Sequence, residues 1–309
     1  MKFLSAVALG VGMVAVPLLP AQAQTKITVG YTATVDIVPM FVGVEKGIFA
    51  KHGLEVTPQL VSLNSLLPPA LMADSIQLGM TTATTFLQGV DGGLNLISVA
   101  GLIHTRKNDV NFGVVKRTGA GIEKPQDLLG KKVGVPGLNA FLHVLFVEWA
   151  KRQGIDPRRV TIVETPFPQM NDILKSGAVD AVVAAEPFQS RIIKSGTGSI
   201  MAHFVQEVPE GLPIVVFSAT RSWVEKNPQA AKGFRQAMAE SMQWVMANQD
   251  AAREIVARNL RLPVEVVRAV QMPVFNVQVT PASLRAWIDI MKEQNMLTRP
   301  IDVDKLVMG

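Results

Sequence analysis

Three short turns gather hydroxyl and amide side chains where an apolar, strand-like run gives way to a helical one. They are Tyr31-Thr32-Ala33-Thr34, Thr81-Thr82-Ala83-Thr84-Thr85 and Pro136-Gly137-Leu138-Asn139-Ala140, the last followed by Phe141. Asn64-Ser65 is a fourth and weaker instance. Such side chains accept the free N–H groups at a helix start, which also carries partial positive charge. The same turns could therefore hold an anion. Each residue taken singly reads first as a helix cap, and the Thr-rich clustering adds the binding reading. His104 and Arg106 follow an apolar run. An arginine fork suits a carboxylate or sulfonate, although arginine is ordinarily solvated. Glu186, before Pro187-Phe188, either accepts from a ligand donor or caps the next helix. Phe141 divides evenly between core and an apolar wall against a ligand.

Catalytic and metal-site patterns fail when tested. Gly130-Lys131 resembles the end of a phosphate loop, but Pro125 stands where the earlier glycine belongs and Lys132 where Ser or Thr belongs. There is no G-x-G-x-x-G and no G-x-S-x-G. His52, His104, His143 and His203 are too widely spaced to form a local metal motif. With no cysteine, disulfides, thiolate zinc, iron–sulfur clusters and thiol nucleophiles are excluded. The expectation is a protein with no catalytic residue, metal or cofactor.

The elements that must position these turns follow from apolar patterning. Ile27–Tyr31, Gly53–Val56, Gln77–Met80 and Asn95–Leu102 read as strands, separated by helical stretches near 39–49, 66–72 and 82–90. A second series has strands at Lys132–Val135, Val160–Glu164 and Val179–Ala184, with helices at 140–152, 168–175 and 188–194. After a strand at Pro213–Ser218 the chain turns mainly helical, with Asn227-Pro228 and Thr280-Pro281 as N-cap plus first-turn signals. Apolar strands alternating with helices mean an α/β fold with mostly parallel sheet. The length of 309 residues, 48% hydrophobic and 18% charged, excludes a disordered chain and allows one large or two medium domains. A formal charge of +5 without a Lys/Arg block argues against nucleic acid as a partner.

The first 23 residues read as a cleaved secretory leader. Lys2 precedes the apolar run Phe3–Val16, Pro17 and Pro20 break it, and Ala21-Gln22-Ala23 is a small-x-small cleavage site. The mature chain is thus expected to start near Gln24 and to be exported to the periplasm.

Four phrases in order carry a family likeness. They are Gly30-Tyr31 through Pro39–Phe49 to Gly53–Val56, then Met72–Met80, then Leu128–Pro136, and finally Leu174–Ala181 with Ala185-Glu186-Pro187-Phe188. Behind a leader, this order resembles the solute-binding proteins of ABC importers for nitrate, sulfonate, taurine and related ligands. The likeness implies a type II periplasmic-binding-protein fold, with two α/β lobes joined by two crossing strands and a ligand cleft between them. On that pattern residues 24–112 plus 216–309 form one lobe and 113–215 the other, with crossings near Asn111–Val115 and Pro213–Ser218. It implies a monomer that delivers a small organic anion to an ABC permease in the inner membrane. Where the family usually has Gly plus Ser or Thr, Leu138-Asn139-Ala140-Phe141 stands here, which points to a larger ligand with an apolar or aromatic part. Alternatives within the superfamily are a thiamine-pyrimidine-precursor binding protein and, more remotely, an enzyme. The ligand-binding candidates are Tyr31, Thr32, Thr34, Asn64, Ser65, Thr81, Thr82, His104, Arg106, Asn139, Ala140, Phe141 and Glu186.

Overall fold

The computed structural model describes residues 24–309; the expected leader, residues 1–23, lies outside the described residues. Among the described residues, ten strands form two five-stranded sheets. The first holds β1 (Thr25–Tyr31), β2 (Leu54–Leu60), β3 (Leu78–Thr82), β4 (Leu96–His104) and β10 (Pro213–Thr220), in the order β2-β1-β3-β10-β4. The second holds β5 (Phe112–Arg117), β6 (Lys132–Val135), β7 (Thr161–Glu164), β8 (Ala181–Ala185) and β9 (Gly198–Ala202), in the order β7-β6-β8-β5-β9. The two orders are the same pattern repeated. In each sheet one strand runs against its neighbours: β10 is antiparallel to β3 and β4, and β5 is antiparallel to β8 and β9. The remaining pairs are parallel, such as β1 with β2 and β6 with β7. This is the type II periplasmic-binding-protein fold.

The central strands are buried on both faces. Every residue of β3, β4 and β8 is buried, which is why these segments read as continuous apolar runs. β9 is not apparent from the sequence; Gly198–Ala202 is a short edge strand, half exposed and without alternation. Helices begin at the prolines, as at Val38–Glu45, Pro228–Ala247 and Pro281–Glu293. Thr280 caps the last of these by accepting from Ser283 N–H at 3.2 Å. Asn227 does not cap the helix after it; its amide instead donates to Trp223 O at 3.0 Å and closes the helix before it.

The chain passes between the sheets over residues 105–111 and back over 203–212. Both crossings expected from sequence, near Asn111–Val115 and Pro213–Ser218, therefore differ, because Phe112 to Val115 already pair with β8 in the second sheet and Pro213 to Val215 already pair with β4 in the first. The two passages are tied together at Thr105. Its N–H donates to Leu212 O at 2.8 Å, and its carbonyl accepts from Gly211 N–H at 2.9 Å. Its hydroxyl donates to Pro209 O at 2.7 Å and accepts from Leu212 N–H at 2.9 Å. Thr105 is 2% exposed, so water does not compete for these bonds.

Candidate functional site

The carboxyl ends of β1, β3, β6 and β8 point toward one another across the gap between the sheets, the place where open α/β sheets bind ligands. A cavity lies there. Thr32, Thr34, Asp36, Asn64, Met80 and Thr82 line it from the first sheet's loops, with Ile214 and Val215 beneath. Phe112, Pro136, Ala140, Phe141, Leu142 and Phe167 line it from the second. A second cavity adjoins it and shares Thr34, Asp36, Phe112 and Ala185. Its other walls include His104, Asp109, Asn111, Glu186 and Val274.

Thr82 is the joint between the two halves. As N-cap of the helix Ala83–Asp91, its hydroxyl oxygen accepts from Thr85 N–H at 3.1 Å. The same oxygen accepts from Phe141 N–H at 3.3 Å, the first residue of the helix Phe141–Arg152. Two helix starts from opposite sheets thus converge on one hydroxyl. Ala140, the N-cap of the second helix, has no side chain that could take those N–H groups, so the start of that helix depends on its neighbour across the cleft. Asn64 supports the joint: its side-chain oxygen accepts from Thr82 N–H at 3.3 Å, and its own N–H donates to Pro136 O at 3.2 Å. Gly137 permits this approach, since a Cβ there would come within 3.2 Å of Asn64 Cβ and 3.3 Å of Ser65 N.

The apolar wall is aromatic. Phe141 packs edge-on against Phe112 at 5.4 Å and against Trp287 at 5.7 Å, arrangements that fix the ring beyond simple burial.

The polar wall is acidic. Asp109 lies 3.5 Å from Arg106 and accepts from Asn111 N–H at 2.9 Å. Burial nevertheless holds its carboxyl above the usual range. Glu186 accepts from Gln189 Nε2 at 2.7 Å and from Ser190 Oγ at 2.8 Å. Asp36 has no cationic partner among the described residues, and burial pushes its carboxyl up to about 6. Burial also lowers the His104 imidazole below its usual range. Among the described residues, no group of three His, Asp or Glu could hold a metal ion.

Of the residues singled out from sequence, the structure brings Thr32, Thr34, Asn64, Thr82, Ala140 and Phe141 to the first cavity and Thr34, His104 and Glu186 to the second. Five do not line either cavity. Thr81 lies inside β3, where its hydroxyl pairs with Ser218 Oγ at 2.9 Å; alternation along the strand turns it away from Thr82. Arg106 is claimed by Asp109 and by Met272 O, to which it donates at 3.1 Å. Tyr31 packs edge-on against Phe41 at 5.3 Å. Ser65 follows Asn64 with its hydroxyl buried. Asn139 adopts φ +58°, and its backbone N–H donates to His143 Nδ1 at 2.9 Å. Sequence reasoning missed Asp36, Asp109, Asn111 and the apolar residues Phe112 and Phe167. For Asp36 a signal existed: a lone carboxylate between Val35 and Ile37, two residues beyond the Thr32/Thr34 pair.

Comparison with known proteins bears on what this cleft serves. Residues 20–260 match the model of the NMT1-like family. The nitrate/nitrite binding protein NrtA of Synechococcus elongatus is 26% identical over 267 residues, which is 75% of this chain and 58% of that protein. The chain thus spans little more than half the length of that relative. The taurine-binding periplasmic protein of Escherichia coli is 25% identical over 241 residues, 77% of this chain and 72% of that one. In structure, the periplasmic aliphatic sulphonate binding protein SsuA of Escherichia coli superimposes with a TM-score of 0.71 at 17% identity, covering 91% of this chain and 96% of that one. All three are binding proteins by name, for nitrate or nitrite, taurine and aliphatic sulphonates.

Proposed function

The chain belongs to the NMT1-like family, and from that premise we propose that it is the periplasmic substrate-binding component of an ABC importer. It captures a small organic anion, a carboxylate or sulfonate with an apolar or aromatic part, and delivers it to a membrane permease. Capture is by closure of two lobes about the passages 105–111 and 203–212, with no chemical step. The lobes correspond to residues 24–112 plus 216–309 and to 113–215, adjusted at the return passage as described above.

One observation carries this proposal: a cavity lined from both sheets, at which two helix starts and a hydroxyl cluster converge. The helix starts favour negative charge. Phe112, Phe141, Phe167 and Met80 supply an apolar wall, which favours a ligand with a carbon body over a bare inorganic ion. The periplasmic location is supported by the named relatives and by the leader-like residues 1–23.

The test is the melting temperature of the mature protein against alkyl and aryl sulfonates, aliphatic and aromatic carboxylates, and nitrate. A ligand at about 100 times its Kd adds about 2.7 kcal/mol, on the order of several degrees. A shift with carboxylates or sulfonates, and none with nitrate, is expected. No shift with any of them, together with no small molecule released when the protein is unfolded, refutes the binding role.

A further inference from the structure

The turn that leads into the second sheet's helix start is held from behind by two side chains. Leu138 N–H donates to Glu164 Oε1 at 2.8 Å, and Asn139 N–H donates to His143 Nδ1 at 2.9 Å. Glu164 ends β7, the strand beside β6. His143 is the third residue of the helix Phe141–Arg152. On the cleft side the same turn is fixed by Asn64 N–H on Pro136 O at 3.2 Å and by Phe141 N–H on Thr82 Oγ1 at 3.3 Å. Its shape needs this support. Asn139 sits at φ +58°, a left-handed conformation that costs energy in a residue other than glycine and persists where its surroundings over-determine it. A Glu or Gln three residues after an N-cap commonly reaches back to a free N–H. Here a histidine holds that position and takes the N–H one residue earlier. A glutamate would bring negative charge to a helix start proposed to receive an anion, whereas a neutral imidazole supplies the acceptor without it.

His143 accepts only while Nδ1 is unprotonated and the ring hydrogen is on Nε2. The residue is 9% exposed, and burial holds its pKa at about 4. The charged groups around it do not reverse this. Glu164, from β7, favours the imidazolium but is outweighed by burial. Lys151, Asp156 and Arg158 line a groove together with His143. Of these, Lys151 Nζ donates to Glu293 O at 3.1 Å, and Asp156 and Arg158 pair with one another at 2.9 Å. Gln294, Asn295 and Met296 complete the groove and carry no titratable group. Farther along the helix, Arg152 holds Glu148 at 3.1 Å and Glu207 at 2.9 Å.

We propose that His143 and Glu164 are positioning residues of the cleft: from behind, they set the turn that presents Ala140, Phe141 and Leu142 to the cavity and the Phe141 N–H to Thr82. Protonation of Nδ1 replaces the acceptor by a donor facing Asn139 N–H, and the turn is released. Ala140, Phe141 and Leu142 all line the cavity, so release loosens the cavity wall and the joint at Thr82 together. The effect on ligand affinity rests on the binding role above; the effect on the turn does not.

The test compares two variants. His143→Leu removes the acceptor. His143→Asn returns one, because the asparagine Oδ1 stands where Nδ1 stood and does not titrate. The fold of each is checked by its melting temperature. Amide exchange of the ligand-free protein at pH 7 is expected to show Asn139 about 5- to 10-fold less protected in His143→Leu, the range for one hydrogen bond, and restored in His143→Asn. By NMR, the wild-type Asn139 and Phe141 amide resonances are expected to move with the His143 imidazole as pH falls through about 4, a step missing in His143→Asn. Calorimetry with hexane-1-sulfonate at pH 7 is expected to show affinity about 5- to 10-fold lower in His143→Leu and recovered in His143→Asn. Unchanged Asn139 protection in His143→Leu, or amide resonances that ignore the imidazole, overturns the positioning role. Lost protection with undiminished affinity overturns its bearing on recognition. A wild type that takes no hexane-1-sulfonate moves the affinity comparison to benzoate. A wild type that takes nothing from the panel above overturns the binding role alone, and the amide readouts still decide the turn.

Discussion

Replacing Asp36 by Asn should make the ligand-free protein more stable at neutral pH, and the gain can be worked out in advance. Burial raises the carboxyl from 3.8 to about 6, a shift of about 2 units, at about 1.4 kcal/mol each. An acid whose folded pKa is raised favours folding in its protonated form. Relative to that form, stability is fully present below about pH 4 and is lost as pH rises through about 6. Asparagine has the same shape and cannot ionise. At pH 7.5 the variant should therefore be more stable by about 3 kcal/mol, and at pH 4.5 by only about 1 kcal/mol. In a chain of this size the first figure is on the order of 5 °C in melting temperature. The assay is urea and thermal unfolding of both proteins after a denaturing wash to strip ligand. Comparing the two at the same pH cancels the titration of all other groups. A variant no more stable than wild type at pH 7.5, or a gain that does not shrink at pH 4.5, would refute the claim that Asp36 is an uncompensated buried acid.

Other outcomes follow from single contacts. Thr82→Val removes the acceptor shared by Thr85 N–H and Phe141 N–H; stability should fall by about 1 kcal/mol for the lost cap, and calorimetry should show weaker ligand binding. Thr81→Val leaves Ser218 Oγ without its 2.9 Å partner and should cost about 1–3 kcal/mol with affinity intact, so a loss of affinity there would return Thr81 to the site. Thr105→Val breaks two hydroxyl bonds between the passages; amide exchange should quicken across 105–111 and 203–212, and unchanged exchange would mean that Thr105 does not tie them. His143 is buried and its pKa falls to about 4, so its contribution is complete above pH 6.5 and is lost as pH falls through about 4; an imidazole NMR titration with a midpoint near 6.5 would contradict this.

The strand-to-helix turns are legible because cap chemistry and cleft chemistry use the same residues. Thr32, Thr34, Asn64 and Thr82 stand at carboxyl ends of strands, and such ends face the gap in any fold of this class. Thr81 differs from Thr82 by one position, which in a strand is the opposite face. Arg106 looks available because spacing along the chain does not reveal that Asp109 folds back to it. Phe112 and Phe167 are not separable from core, since an apolar cleft wall and an apolar core have the same composition. The direction of β5 and β10 is also hidden: a strand buried on both faces reads identically whichever way it runs. Asp36 escapes notice because an acidic residue in the first turn of a helix is ordinarily a favourable partner of its N-terminus. Only the three-dimensional packing shows how completely it is buried.

The geometry ties recognition to closure. The first sheet's loops bring Thr32, Thr34, Asp36 and Thr82, and the second's bring Ala140, Phe141 and Phe167. A ligand held by one half alone would meet only part of this set, and the start of the helix Phe141–Arg152 would lack its acceptor across the cleft. In the arrangement seen, Thr82 takes the Phe141 N–H and the aromatic wall covers the cavity; the closure proposed above would form both together. The ligand's affinity for the two arrangements must differ by the interactions that closing adds, and only that difference can shift the equilibrium. A residue such as Phe141, which both lines the cavity and crosses the joint, therefore controls affinity through two routes at once. Phe141→Leu should weaken binding more than Met80→Leu, since Met80 lines the cavity from the first sheet alone. Equal losses in calorimetry would show that crossing the joint adds nothing.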